Sequence, residues 1–313
     1  MTVEILVVDR EAEVYAAAIR AAFPQAVVHE AAEAGAVTPG MRGAEVLVGL
    51  APYLPASLTG AMPRLRLVHA LTTGVDSLMG LPAPVLLTRT GGVHGPQMAE
   101  LAVLMMLALL RDLPGMQADM AAGRWQRRPQ PLLEGRVVCL LGLGAIAEAL
   151  AVRAAAFGMV VTGVSDGRSA VPGFRRVYPR ARLVEAAAEA DVLVVIVPLS
   201  EATHHIVDAR VLAALGPRGL LVNIARGGCV DEAALLQALE SGGIAGAGLD
   251  VFETEPLPAD HPFRRMPNVI ATPHIGGMSD RYAAQAVPVM LRNLAAWVAG
   301  DPLPDLVNRG VAP

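Results

Sequence analysis

Residues 136–157 read RVVCLLGLGAIAEALAVRAAAF, and this stretch decides the fold. Its apolar residues up to Leu141 predict a strand, and the alanine-rich part predicts a helix. In the turn between them, Gly142 permits a tight bend and Gly144 lets the backbone approach a pyrophosphate. The small Ala147 allows the helix to pack closely on the strand, so that phosphates would meet free N–H groups at the helix N-terminus. The stretch therefore predicts a dinucleotide-binding strand, turn and helix.

Apolar runs on both sides of this stretch indicate further parallel strands. Six runs lie in the second part of the chain, at 137–141, 159–164, 192–197, 219–225, 246–250 and 269–272. Six strands suit a dinucleotide-binding fold. Four more runs predict a smaller first α/β domain, at 5–8, 46–50, 65–70 and 85–88. Residues 96–123 predict one long helix that leads into the second domain, and residues 280–299 predict a final helix.

Length and composition exclude several classes of protein. A chain of 313 residues suits two domains, each with its own core. The longest apolar run, Leu101–Leu110, has ten residues, whereas a membrane span needs about 20. The acidic N-terminal segment MTVEILVVDREAE does not resemble a signal peptide, so a cytoplasmic location and no membrane partner are predicted.

Cysteine content and charge narrow the function further. Cys139 and Cys229 are the two cysteines of the sequence, which predicts neither a disulfide framework nor a metal site. The formal net charge is −4 and no basic run is present, so we expect no nucleic-acid partner.

Three residues after predicted strands suggest hydride-transfer chemistry. Arg226 closes GLLVNIAR, Glu255 lies in LDVFETEP, and His274 follows NVIATP. Reduction of a 2-keto acid needs a cation for the carboxylate and carbonyl, a proton donor, and a carboxylate that tunes this donor. Taken alone, His274 could be an ordinary loop histidine, and Arg226 could form a structural ion pair.

Several stretches resemble the D-isomer-specific 2-hydroxyacid dehydrogenases. They are the glycine turn, HALTTGVDSL (69–78), GPQMAELAVLMMLALL (95–110), DVLVVIVP (191–198), VNIARGGCVDEAAL (222–235), AGLDVFETEPLP (247–258) and PNVIATPHIGG (267–277). The resemblance implies an α/β fold in which a Rossmann dinucleotide-binding domain, residues 95–283, is inserted in a smaller flavodoxin-like substrate domain, residues 1–94 and 284–313. The sequence departs from the family pattern at Ala147, which replaces a glycine, and at the end of the second strand, which lacks an acid.

The resemblance assigns roles to the candidate site residues. His274 would be the general acid, Glu255 would orient its imidazole and favour the protonated form, and Arg226 would bind the substrate carboxylate and carbonyl. The backbone N–H groups of Gly74 and Val75 would hold the substrate carboxylate. Asp250 would touch the nicotinamide amide, although it could instead simply end its strand. The cofactor-binding residues implied are Gly142, Leu143, Gly144, Ala145, Ile146, Ser165, Arg168, Pro198, Ala225, Asp250 and Gly277.

The end of the second strand bears on the choice of dinucleotide. An acid there accepts the ribose hydroxyls of NAD and repels the 2′-phosphate of NADP. Ser165 holds the position of that acid, and Arg168 lies within loop reach of a phosphate. The pair favours NADP, whereas Asp166 could rotate in and restore a preference for NAD.

The predicted function is therefore NAD(P)-dependent interconversion of a small 2-keto acid and its D-2-hydroxy acid. The mostly apolar predicted pocket makes glyoxylate or hydroxypyruvate the preferred substrate, and the family implies a homodimer. The alternative is a binding protein, a dinucleotide-responsive corepressor on the same fold.

Overall fold

The computed structural model describes residues 3–309, and the chain divides into two compact units. The first unit is formed by residues up to Val93 and from Ser279 onward, and the second by residues 94–278. The chain returns to the first unit at Ser279, near the residue 284 that the resemblance implied. The final helix begins at Tyr282, whose hydroxyl donates to the carbonyl oxygen of Leu71 in the same unit.

The first unit is a parallel sheet with helices. Its strands are β1 (Glu4–Val8), β2 (Val27–Ala31), β3 (Val46–Gly49), β4 (Leu67–Ala70) and β5 (Leu86–Arg89). Its helices are α1 (Ala12–Ala22), α2 (Ala56–Gly60) and, after the second unit, α9 (Tyr282–Ala299). The strand order β2-β1-β3-β4-β5 is the flavodoxin-like order that the resemblance implied.

Strand β2 was not predicted because it lies at the edge of this sheet. Its sequence VVHEA carries His29 and Glu30, and these side chains are only partly buried. His29 Nε2 lies 2.9 Å from Oε1 of Glu4 on β1. An edge strand has one neighbour and can keep polar side chains in water, so its apolar pattern is weak.

The second unit is a larger parallel sheet. Its strands are β6 (Val137–Leu141), β7 (Val160–Val164), β8 (Arg176–Tyr178), β9 (Val192–Val195), β10 (Leu220–Asn223), β11 (Gly246–Leu249) and β12 (Val269–Ala271). Its helices are α3 (Gly95–Leu110), α4 (Leu113–Ala121), α5 (Ala145–Ala156), α6 (Leu183–Ala188), α7 (Ala209–Leu215) and α8 (Glu232–Glu240). The order β12-β11-β10-β9-β6-β7-β8 reverses direction between β6 and β9, as in a Rossmann sheet. The predicted fold class is confirmed.

Two predictions for this unit were wrong. Seven strands are present among the described residues instead of six, because Arg176–Tyr178 is a short edge strand whose arginine hides the apolar pattern. The single helix predicted for residues 96–123 is two helices. Asp112 adopts a left-handed backbone with φ of 48° and caps α4 by accepting a hydrogen bond of 3.2 Å from the N–H of Gly115.

Within residues 3–309, no helix is both long enough and apolar enough to cross a bilayer. Among those same residues, no group of three or more His, Cys, Asp or Glu side chains could hold a metal ion.

Candidate active site

The three predicted catalytic residues lie at the carboxyl edge of the second sheet. Arg226 follows β10, Glu255 follows β11 and His274 follows β12, and these three strands are adjacent and parallel. Because parallel strands end at the same edge, residues distant in sequence meet there.

His274 and Glu255 form a direct pair. Nδ1 of His274 lies 2.7 Å from Oε2 of Glu255, and the other carboxylate oxygen accepts a 3.0 Å hydrogen bond from the N–H of Phe252. The side chains of the two residues are 45% and 35% exposed, which leaves the imidazole accessible to a ligand. With Nδ1 engaged, Nε2 is the nitrogen that remains for proton transfer.

The pair shifts the pKa of both members. The hydrogen bond and negative charge of Glu255 raise the pKa of His274, against the lowering effects of burial and of the positive charge of Arg226. Burial raises the pKa of Glu255, but the hydrogen bonds from His274 and Phe252 and the charges of His274 and Arg226 outweigh it, so the pKa is lowered. An imidazolium facing a carboxylate is thereby favoured.

Arg226 is positioned by an asparagine that was not predicted. The Asn223 side chain donates to the carbonyl oxygen of Arg226 at 3.0 Å and accepts from the N–H of Ala225 at 3.1 Å. The guanidinium of Arg226 in turn donates to the carbonyl oxygen of Ala225 at 2.6 Å. Asn223 is 1% exposed, and a polar residue inside the apolar run LLVNIA is the signal that could have found it.

Gly227 brings the arginine turn against the loop that carries Glu255. A Cβ atom on Gly227 would lie 1.9 Å from the carbonyl carbon of Phe252 and 2.2 Å from the nitrogen of Glu253. Both of these atoms belong to the backbone and cannot rotate away. The position therefore requires glycine.

Asp250 holds the loop of His274. Its carboxylate accepts hydrogen bonds from the Thr272 hydroxyl at 2.6 Å and from the N–H groups of Ile275 at 3.0 Å and Gly276 at 2.9 Å. Its carbonyl oxygen accepts the N–H of His274 at 2.9 Å. These bonds fix His274 in a left-handed conformation with φ of 53°. Both carboxylate oxygens of Asp250 are thus engaged by this loop.

The glycine turn meets the requirements of a dinucleotide phosphate site. Gly142 has φ of +101°, and a Cβ atom there would lie 2.9 Å from Cγ1 of Val197. At Gly144 a Cβ atom would meet nothing within 4 Å, so the backbone can be approached closely. Helix α5 begins at Ala145, and the N–H groups of its first turn, including that of Ile146, have no partner inside the helix. The turn lies at the switch point between β6 and β9, where Rossmann sheets bind dinucleotides.

Charged residues beyond β7 form two pairs. The Arg168 guanidinium is paired with Glu148 on α5 and also donates to the carbonyl oxygen of Leu143 at 3.3 Å. Asp166 accepts the N–H of Arg180 at 2.8 Å, and its other oxygen lies 3.2 Å from Nε of the same residue.

Ser165 and the remaining cofactor candidates lie on the same edge. The Ser165 hydroxyl accepts the N–H of Gly167 at 3.2 Å, and the carbonyl oxygen of Pro198 accepts the Thr203 hydroxyl at 2.6 Å. Ala225 is buried, and the carbonyl oxygen of Gly277 accepts the side-chain amide of Gln97 at 3.3 Å.

In the first unit, the predicted carboxylate-binding loop is held from several sides. The Leu71 N–H donates to the carbonyl oxygen of Gly49 at 2.8 Å, and the Thr73 hydroxyl donates to that of Thr90 at 2.8 Å. The Thr72 hydroxyl donates to the carbonyl oxygen of Gly74 at 2.8 Å. This leaves a loop of fixed shape that contains both Gly74 and Val75.

Comparison with known proteins agrees with this architecture. Residues 103–276 match the family model described as D-isomer specific 2-hydroxyacid dehydrogenase, NAD binding domain. The chain belongs to the D-isomer-specific 2-hydroxyacid dehydrogenase family. The resemblance seen in the sequence is thereby confirmed.

Three members of the family indicate its range. Hydroxyphenylpyruvate reductase of Plectranthus scutellarioides is 36% identical over 79% of this chain and 80% of its own length. A structure of a family member from Aeromonas salmonicida has 30% identity and a TM-score of 0.91, covering 99% of this chain and all of that one. The NADPH-dependent glyoxylate/hydroxypyruvate reductase of Sinorhizobium meliloti has 33% identity and a TM-score of 0.83, with 98% of each chain covered.

Membership in this dehydrogenase family gives the reaction class. The protein is an NAD(P)-dependent oxidoreductase that interconverts a 2-keto acid and a D-2-hydroxy acid. The corepressor-type alternative is not favoured.

Proposed function

We propose that this dehydrogenase reduces glyoxylate or hydroxypyruvate, with His274, Glu255 and Arg226 as its catalytic residues. The observation that carries the proposal is the 2.7 Å contact between His274 and Glu255, close enough to Arg226 for its charge to act on both. The dinucleotide, when bound, supplies the hydride that reaches C2 of the keto acid.

Arg226 binds and polarises the substrate. Its planar guanidinium can donate to a carboxylate oxygen and to the carbonyl oxygen at once, which the point charge of lysine does less well. Its backbone is fixed through Asn223 and its guanidinium is held by the carbonyl oxygen of Ala225, so less ordering is needed when substrate arrives. Negative charge that develops on the carbonyl oxygen during reduction is stabilised by the same cation.

His274 moves the proton. In the direction of reduction, protonated His274 donates the Nε2 proton to the carbonyl oxygen, and in the reverse direction neutral His274 removes the hydroxyl proton. Glu255 keeps Nδ1 bonded and stabilises the imidazolium. Asp250 acts as a positioning residue through its bonds to the His274 loop, beside the nicotinamide contact that the resemblance implies.

Gly74 and Val75 would hold the substrate carboxylate through their N–H groups. Among the described residues, the bonds of this pair run through their carbonyl oxygens, which accept from Thr72 and Leu78. We accordingly propose that the first unit contributes this loop to substrate binding, and that the second unit contributes Arg226, His274 and the dinucleotide site.

Gly142, Leu143, Gly144, Ala145 and Ile146 would hold the pyrophosphate of the dinucleotide. We further propose that NADP is preferred over NAD. Ser165 offers no charge to repel a 2′-phosphate, and Arg168 carries the matching cation. Asp166 is engaged by Arg180, which supports the preference because this acid would otherwise accept ribose hydroxyls.

A homodimer is proposed as the working form. Large apolar side chains are exposed on α3, on α4 and in the segment after α4; they are Leu104, Leu113, Met120, Trp125 and Leu132. Trp125 is 72% exposed, more than a side chain of this size normally is in a monomer. Sedimentation of the unchanged protein and of the Trp125→Ser variant measures the oligomeric state and tests this homodimer. We also propose a cytoplasmic location, which suits two buried free thiols.

A panel of 2-keto acids, assayed with NADPH and with NADH, tests the function. We expect the highest kcat/KM with glyoxylate or hydroxypyruvate and NADPH, and a far lower value with an aromatic keto acid such as hydroxyphenylpyruvate. His274→Gln should retain dinucleotide binding and lower kcat by about a hundred- to ten-thousandfold. Near-normal kcat in that variant, or preference for the aromatic acid, would refute the corresponding assignment.

A further inference from the structure

Glu148 lies where it can compete for the cation that a 2′-phosphate would use. It is in the first turn of α5, directly after the glycine turn, and its N–H donates to the carbonyl oxygen of Gly144. Its carboxylate is paired with the guanidinium of Arg168, which comes from the loop after β7.

Arg168 is drawn toward the glycine turn by two acceptors. Besides Glu148, it donates to the carbonyl oxygen of Leu143 at 3.3 Å. The side chains of Arg168 and Glu148 are 38% and 50% exposed, respectively. The ion pair is therefore open to water, and another anion can replace Glu148 beside the guanidinium. Arg168 thus lies just beyond the end of β7, but the carboxylate of Glu148 compensates its positive charge.

The neighbouring charges are balanced as well. Asp166 is bound by Arg180 through both backbone and side chain. With Arg168 and Arg180 opposed by Glu148 and Asp166, this end of β7 carries two positive and two negative groups. A phosphate monoester of charge about −1.5 to −2 therefore gains no net attraction from these four groups while both pairs are intact.

We propose that Glu148 is a specificity-determining residue that weakens recognition of a 2′-phosphate by this enzyme. It does so by holding the Arg168 guanidinium in an ion pair that the 2′-phosphate has to break. The inference rests on the proposed function, since it assumes that Arg168 binds that phosphate. Loss of the Glu148 charge should release the guanidinium and strengthen discrimination in favour of NADP.

The test measures binding of nucleotide fragments to the full-length protein by calorimetry. The probes are adenosine 2′,5′-bisphosphate, which carries the 2′-phosphate, and 5′-AMP, which lacks it. Glu148→Gln should lower the Kd for the bisphosphate about three- to tenfold, the size expected for loss of a competing exposed ion pair. The Kd for 5′-AMP should stay within about twofold, because the change acts on the 2′-phosphate alone.

Two further variants separate this mechanism from a general charge effect. Glu100 forms another exposed ion pair, with its carboxylate 3.7 Å from the guanidinium of Arg153. Glu100→Gln removes the same charge as Glu148→Gln and should leave both Kd values unchanged. In the Arg168→Ala background, Glu148→Gln should give no tightening, because the cation to be released is gone.

The outcomes also distinguish the inference from the proposed function. Equal tightening of both probes, no tightening, or tightening that persists without Arg168 would overturn the role of Glu148. If Arg168→Ala weakens the bisphosphate alone while Glu148→Gln changes nothing, the NADP preference stands and only the inference fails. If Arg168→Ala affects neither probe selectively, the NADP preference fails together with the inference.

Discussion

Gly227 packs so closely against Phe252 that a Cβ atom at Gly227 would lie 1.9 Å from the Phe252 carbonyl carbon. This contact joins the turn of Arg226 to the loop of Glu255. Gly227→Ala should therefore displace one of these segments, lower kcat more than a hundredfold and destabilise the protein by about 1–3 kcal/mol or more. Steady-state kinetics and urea unfolding measure the two effects.

Gly228→Ala is the matched control for this substitution. A Cβ atom there would lie 3.3 Å from the methyl carbons of Leu199, which can rotate away. Its stability and kcat should stay near those of the unchanged protein. Equal damage from both substitutions would show that the close contact at Gly227 has no special importance.

Replacement of Glu255 by glutamine should move the pH profile. Glu255 raises the pKa of His274, so its loss should lower that pKa. Reduction needs protonated His274 and loses rate as pH rises through this pKa, so its alkaline limb should move to lower pH. Glu253→Gln, which removes the partner of His205 at 2.7 Å, serves as control and should leave the profile in place. A profile unchanged in Glu255→Gln would mean that this carboxylate does not tune the acid.

Arg226→Lys should bind the keto acid poorly despite the retained charge. Lysine cannot donate two parallel hydrogen bonds to carboxylate and carbonyl, so KM for the keto acid should rise at least about tenfold. KM for the dinucleotide should change little. Full activity of the lysine variant would rule out bidentate binding, and unfolding of the variant would indicate a structural ion pair.

His69 should make the protein sensitive to acid. It is fully buried, with Nδ1 at 2.9 Å from the Thr88 hydroxyl and Nε2 at 3.1 Å from that of Thr90, and burial lowers its pKa to about 4. In the unfolded chain His69 binds a proton near pH 6.5, whereas in the folded protein it does so only near pH 4. The free energy of unfolding therefore keeps its full value above pH 6.5 and falls by about 3 kcal/mol as pH decreases toward 4. Urea unfolding of the protein and of His69→Gln, from pH 7 to 4, should show a flatter dependence in the variant. The same slope in both would contradict this source of acid sensitivity.

Much of this arrangement could be predicted because apolar strands end in unusual residues. Arg226 follows a buried strand, where a charged side chain needs a partner, His274 follows a short apolar strand, and the glycines mark the phosphate turn. Edge strands β2 and β8 were missed because an edge strand can keep polar side chains in water, and their histidine, glutamate and arginine interrupt the apolar pattern. The break at Asp112 was missed although the segment RDLPG (111–115) contains its signal, an aspartate at the N-cap followed by a proline in the first turn of the next helix.

Contacts made by folding could not be foreseen from residue type. The bonds from Asp250 to the His274 loop span up to 26 positions in sequence. Arg168 and Glu148 are 20 positions apart and meet only because β7 lies beside β6 and α5. The local sequence pattern contains no information on such long-range pairs. Each of these contacts nevertheless changes the role that a residue can have.

The two cysteines provide an intrinsic probe of opening. Cys139 on β6 and Cys229 after β10 have no exposed surface, and burial raises the pKa of Cys139 to about 12. The thiolate is the nucleophile that attacks a thiol reagent, so labelling should occur only during excursions in which the second sheet comes apart. Anything that binds the folded sheet, such as a dinucleotide at the turn after β6, should slow that labelling in proportion to its occupancy. The rate of thiol modification thus becomes a measure of ligand affinity that needs neither turnover nor an added label.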